Sequence, residues 1–173
     1  MIPEMKEILK KDIKKMRAKL LAQKKKTGAY DEIGNLRYEP PRLYLKIQDY
    51  KGGLGYMEWF DKNFPEDLYW PEFLFEWTIF LYMNDKTPEA AQKAADTLLM
   101  NEYIFDKYFG RSIPAYSKSD DLTVEGPLIL DSFRYSEKKN LELEEFSKWL
   151  KDLEQKEEFI SYIDYYRKAW SEL

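Results

Sequence analysis

The side chains available for chemistry in this 173-residue chain are carboxylates, amines, phenols and hydroxyls, because it contains no histidine and no cysteine. That excludes a Ser-His-Asp triad, a cysteine nucleophile, a disulfide and any zinc site built on imidazole or thiolate. The carboxylates that cluster are Asp120-Asp121, Glu142 with Glu144 and Glu145, and Glu157-Glu158. Such groups can hold a hard cation or divide general-acid and general-base work. No EF-hand spacing is present, however, and Glu142 and Glu145 share a helix face as many solvated surface glutamates do. Gly52-Gly53-Leu54-Gly55 lacks the Lys-Ser/Thr that completes a phosphate loop and reads as part of a turn. The sequence therefore predicts no catalytic residue, no cofactor and no metal.

Aromatic side chains are the stronger signal. They make up 17% of the chain, with 14 Tyr, 10 Phe and 5 Trp. Tyr and Trp offer large contact area at low entropic cost, which is why they dominate recognition hot spots. Core packing competes for the same residues and claims Phe73, Trp77 and Phe80 first. Tyr56, Tyr69, Tyr103, Tyr162, Tyr165 and Tyr166 are expected nearer the surface because each carries a polar hydroxyl. With Trp59, Trp70 and Arg167 they form the candidate partner-binding set, and Tyr165-Tyr166-Arg167-Lys168 is its centre. Glu142 and Glu145 are the expected acidic rim.

Charge is unevenly spread. Residues 1–26 carry ten Lys/Arg against three acidic residues, a net +7, whereas the remainder carries 18 basic and 29 acidic residues, a net −11. A lysine cluster can meet nucleic-acid phosphates or anionic lipid headgroups. It equally serves as the solvated outer face of a capping helix, and it lacks the arginine and aromatic interleaving of a base reader. No apolar run reaches the roughly 18 residues that span a bilayer, and the N-terminus lacks the apolar stretch of a signal peptide. These features predict a cytoplasmic protein.

The elements that must position these residues are helices. Met5, Ile8, Leu9, Ile13, Met16, Leu20 and Leu21 recur at steps of three and four, giving a basic amphipathic helix over residues 1–27. Residues 28–173 then read as a single helical domain. Its first hairpin covers about 42–64, although Leu43, Leu45 and Ile47 alternate and also suit a strand; the turn at Asp49 to Gly53 favours the helix. The second covers 71–100: a helix apolar on nearly every side, then Thr87 as N-cap, Pro88 at the first helical position and a face of Ala90, Ala91, Ala94 and Ala95. A short apolar helix ends at Gly110. Residues 111–140 read as a loop pinned by Leu128, Ile129 and Leu130, and two C-terminal helices occupy 141–171. The last carries Phe159, Ile160, Ile163, Tyr166 and Trp170 on its apolar side.

Asp49–Phe64 lines up with Asp85–Met100 at a separation of 36, each beginning with Asp, with Gly55 against Ala91 and Phe64 against Met100. Helix, turn and helix at a period of about 34 to 40 residues is the mark of tetratricopeptide-type arrays. The stretches DYKGGLGYMEWFDKNFPED and TPEAAQKAADTLLMNEYIFDKYFG resemble divergent bacterial tetratricopeptide-like proteins over about a third of the chain. They depart from that pattern at Gly53, where such repeats prefer a better helix former. The resemblance implies an all-α fold of antiparallel hairpins stacked as a short array with capping helices. It implies an interaction scaffold, and no catalytic residue carries over. The expected function is a non-enzymatic module that binds a basic peptide or protein in an aromatic, acidic groove between the second hairpin and the C-terminal helices. The alternative is an immunity- or antitoxin-type inhibitor that occludes a toxin or nuclease active site.

Overall fold

Prolines, glycines and short polar joints divide this chain into helices. The computed structural model describes residues 3–28, 36–114 and 126–171. Among them are eight α-helices, three short 3-10 turns and no strand, in agreement with the all-α expectation. The chain groups into two compact units, Met1–Asp67 and Leu68–Leu173. Asn35 and Asp120-Asp121 lie outside the described residues, as do the side chains of Leu128 and Trp170.

The first unit holds α1 (Pro3–Thr27), a 3-10 turn (Leu36–Tyr38), α2 (Glu39–Lys46) and α3 (Tyr50–Asn63). The 42–46 segment is helical, with Pro40 and Pro41 in its first turn, where a missing N–H costs nothing. Helix α1 packs on α2 through Leu9, Ile13 and Leu20. The expected inward residues Met5, Ile8 and Leu21 are instead 43%, 51% and 50% exposed. Leu9, Ile13 and Leu20 take the buried stripe, and Ile8 and Leu21, each adjacent to a buried leucine and about 100° around the helix from it, are turned outward. Tyr38 donates its hydroxyl to Asp67 at 2.6 Å, and Arg37 pairs with the same carboxylate at 2.9 Å.

The second unit is built around α4 (Pro71–Tyr82), ten of whose twelve residues are buried. A tight turn leads into α5 (Thr87–Met100), where Ala90, Ala94 and Ala95 are buried. The small side chains on this face of α5 let the two backbones approach closely, as the sequence predicts, and the Thr78 and Thr97 hydroxyls meet at 3.4 Å. Helix α6 (Ile104–Phe109) ends at Gly110 with φ +67°, where glycine avoids the Cβ clash. A 3-10 turn over Pro127–Ser132 buries Leu130, and another at Leu141–Leu143 leads into α7 (Glu144–Glu154) and α8 (Glu157–Ser171). Phe75 of α4 lies within 4.9 to 6.2 Å of the rings of Phe105, Tyr108, Phe133, Tyr135 and Phe146.

Local geometry corrects two readings of helix starts. Gly52 and Gly53 lie inside α3 rather than in a turn, because Asp49 caps that helix by accepting the Gly52 N–H at 3.0 Å. Thr87 is the first residue of α5, makes no capping bond and follows Lys86 at the N-cap position. The two joints nevertheless match. Gln48 (φ +56°) precedes the Asp49 cap, and Asp85 (φ +60°) precedes Lys86. In each, the cap N–H reaches back five residues, to the carbonyl of Tyr44 or Leu81, at 3.0 Å. Helices α3 and α5 are both 14 residues long, and their starts, ends and buried positions (Gly53, Met57 and Phe60 against Ala90, Ala94 and Thr97) are related by 37 residues. The C-caps of the preceding helices, Ile47 and Met83, are related by 36, so the second joint is one residue longer.

Gln48 is an exposed non-glycine residue in the left-handed region, a conformation costing about 1 kcal/mol relative to glycine. Gln48→Gly is therefore expected to raise the free energy of urea unfolding by about 0.5–1 kcal/mol. A Cβ on Gly52 would come within 2.6 Å of the Asp49 carboxylate and 2.7 Å of the Tyr44 ring. Gly52→Ala should cost about 1–3 kcal/mol in the same measurement.

Burial also marks the phenols. It pushes Tyr38 and Tyr108 up to about 12 and Tyr135 well above the usual phenol value. Their stabilising contribution is complete below pH of about 10 and disappears as pH rises through the folded-state values. Phenolate absorbance at about pH 11 should show these three un-ionised in the folded protein and ionised once denaturant is added. Full ionisation before unfolding would contradict their burial.

Candidate functional site

Helix α8 is amphipathic. Phe159 and Ile163, at 9% and 5% exposure, seat it against the rest of the second unit, where it packs on α5 and α7. An open cleft runs along each side of that seat. One, of about 310 Å³, is lined by Pro88, Ala91, Gln92 and Ala95 of α5, by Leu153 and Lys156, and by Glu158, Phe159 and Tyr162. There the Gln92 amide donates to the Tyr162 hydroxyl at 2.6 Å.

The other cleft, of about 210 Å³, is lined by Leu98, Glu102, Phe105, Asp106 and Glu154, and by Phe159, Ile160, Ile163, Asp164 and Arg167 of α8. Its charge is acidic, with four carboxylates to one guanidinium. Arg167 lies 3.5 Å from Glu102. Arg111, just outside, forks onto Glu154 at 2.9 and 2.7 Å and reaches Asp106 at 3.2 Å. That bidentate pair raises the Arg111 pKa further and fixes its charge. Ile160, expected inward, is 45% exposed, because Phe159 and Ile163 take the seat and turn it to the cleft.

Five of the sequence-predicted residues lie on or beside α8, of which Tyr162 lines the larger cleft and Arg167 the smaller. The Tyr162 and Tyr166 rings, one helical turn apart, lie tilted to each other at 4.7 Å, and Tyr165 stands edge-on to Tyr166 at 5.3 Å and is 68% exposed. A hydrogen bond with Tyr162 raises the Tyr166 phenol pKa, and one with Glu102 does the same for Tyr103, beside Arg167.

The other six do not join them. Tyr56, expected near the surface, is fully buried in the first unit, and its hydroxyl donates to the Arg37 carbonyl at 2.7 Å. One internal acceptor satisfies the phenol, so its polarity no longer demands exposure. Trp59 is half-buried beside it, under the Arg17 guanidinium at 5.6 Å. Tyr69 and Trp70 lead into α4, Tyr69 stacking on Phe73 at 6.0 Å while Trp70 stays 40% exposed. Glu142 and Glu145 stand at the start of α7 and line neither cleft; Glu145 pairs with Lys148 at 2.9 Å. The carboxylates that line the smaller cleft are Glu102, Asp106, Glu154 and Asp164. Ile160 and Asp164 share a face with Ile163 and Arg167, a spacing readable in the sequence, whereas Asp106 and Glu154 come from separate helices and leave no such trace.

Among the described residues, no group of three or more Asp or Glu side chains is placed to hold a metal ion, and no helix is long and apolar enough to cross a membrane. No protein-family model matches the chain, and neither a characterised protein nor a solved structure gives a significant match.

Proposed function

We propose that this chain is a non-enzymatic interaction module whose second unit binds a basic peptide or protein segment along α8. The observation that carries this reading is the smaller cleft, where four carboxylates surround one arginine and Ile160 and Arg167 stand at its edge on the helix that exposes Tyr165. Apolar wall, exposed phenol and unbalanced acidic charge are the complement of a segment that alternates Lys or Arg with aliphatic residues. The absence of histidine and cysteine suits recognition by shape and charge. A tetratricopeptide-like repeat character for the pairs α2–α3 and α4–α5 belongs to the same proposal, supported by their matching joints and 14-residue second helices.

The test is a nuclear magnetic resonance titration with a peptide of alternating lysine and leucine, alongside its glutamate counterpart. The expected outcome is amide shifts centred on Ile160, Asp164 and Tyr165 with the basic peptide. Its affinity should fall several-fold as salt rises from about 50 to 300 mM, as screening shortens the reach of the carboxylates. Asp164→Asn combined with Tyr165→Ala should weaken binding about tenfold or more. Equal binding of the acidic peptide, or binding unaffected by the double substitution, overturns the proposal.

A further inference from the structure

The long N-terminal helix carries a surface that neither its packing nor the α8 cleft uses. Leu9, Ile13 and Leu20 bury one stripe of α1. Ile8, Lys11, Lys15, Lys19, Ala22 and Lys26 follow one another at steps of three or four and are all exposed, so they form a continuous stripe on another face. Lys11, Lys19 and Lys26 form no ion pair among the described residues, and Lys15 has only the distant Asp12, at 3.9 Å. At the N-terminal end of this stripe Met5 and Ile8, one turn apart, are 43% and 51% exposed. The helix as a whole carries ten basic and three acidic residues, although the rest of the chain is acidic.

We propose that α1 docks on an anionic lipid surface, lying in the interface with Met5 and Ile8 dipped into the acyl boundary and the lysines among the headgroups. Two observations select lipid over nucleic acid. The exposed face combines lysine with aliphatic side chains, and aliphatic groups gain nothing from a phosphate backbone but gain from leaving water at a bilayer. The helix has a single arginine, Arg17, and its guanidinium lies over the Tyr56 and Trp59 rings at 5.9 and 5.6 Å instead of facing outward with the lysines. Lysine is also suited to this geometry, since its long aliphatic stem lies along apolar surface while the ammonium stays in water.

The experiment is co-sedimentation of the full chain with vesicles of phosphatidylcholine alone and of phosphatidylcholine with phosphatidylglycerol, beside binding to a short DNA duplex. The expected result is partition onto the anionic vesicles only, weakening as salt rises. Each of Lys11→Gln, Lys15→Gln and Lys19→Gln should lower the partition coefficient about fivefold. Met5→Gln with Ile8→Gln should reduce vesicle binding several-fold while leaving any duplex binding unchanged. All five positions are solvent-facing, and an unchanged circular dichroism spectrum confirms that the variants fold. Failure to sediment with anionic vesicles, insensitivity to the Met5/Ile8 double substitution, or tighter binding to the duplex than to the vesicles each overturns the proposal.

Discussion

The second unit depends on one constraint: α4 is apolar on nearly every side, so protein must cover it on every side. Ten of its twelve residues are buried, among them the Glu76 carboxylate at 2% exposure. A helix of this kind cannot be satisfied by one partner, as an ordinary amphipathic helix can. Alanines of α5 approach it on one face, while rings from α6, from residues 133–135 and from α7 close around Phe75. Tyr135 does more than cover. Its hydroxyl donates to Glu76, giving a buried charge an internal partner in place of water. The same contact ties the segment after residue 126 to the core.

The candidate site follows from that arrangement. Because α5 gives its small residues to α4, its outer positions Ala91, Gln92 and Leu98 are left to receive α8, and the short side chains leave clefts instead of a filled seam. Phe159 and Ile163 anchor α8 there, so Tyr165, on the far side of the helix, faces solvent. The Arg111–Glu154 clamp joins the segment after α6 to the end of α7 and fixes the acidic side of the smaller cleft. The candidate recognition residues thus sit on the outermost layer of a unit whose centre is aromatic.

Much of this was legible in the sequence. The prolines at 71 and 88, Gly110 and the alanine face marked elements that the structure contains, because each acts through local backbone sterics. The Tyr162–Arg167 cluster was legible for the same reason, being four residues of one helix. What could not be read depends on partners distant in the chain. Tyr56 is buried because the Arg37 carbonyl accepts its hydroxyl, and Ile160 is exposed because α5 and α7 pack against Phe159 and Ile163. The acidic rim was assigned to Glu142 and Glu145 by local clustering, yet Asp106, Glu154 and Asp164 come together from three helices. The correspondence of the two joints was visible, but its one-residue insertion was not, since a joint's length shows only when its hydrogen bonds do.

Native-state amide hydrogen exchange, on the wild-type chain and on Tyr135→Phe, tests the central claim that α4 and its buried carboxylate hold the second unit together. The account predicts that residues 73–81 are the slowest-exchanging amides of that unit. Removing the Tyr135 hydroxyl should lower their protection together with that of α5 and α7, by about 1–3 kcal/mol. Fast exchange of α4 in the wild-type chain, or protection unchanged by Tyr135→Phe, would contradict it.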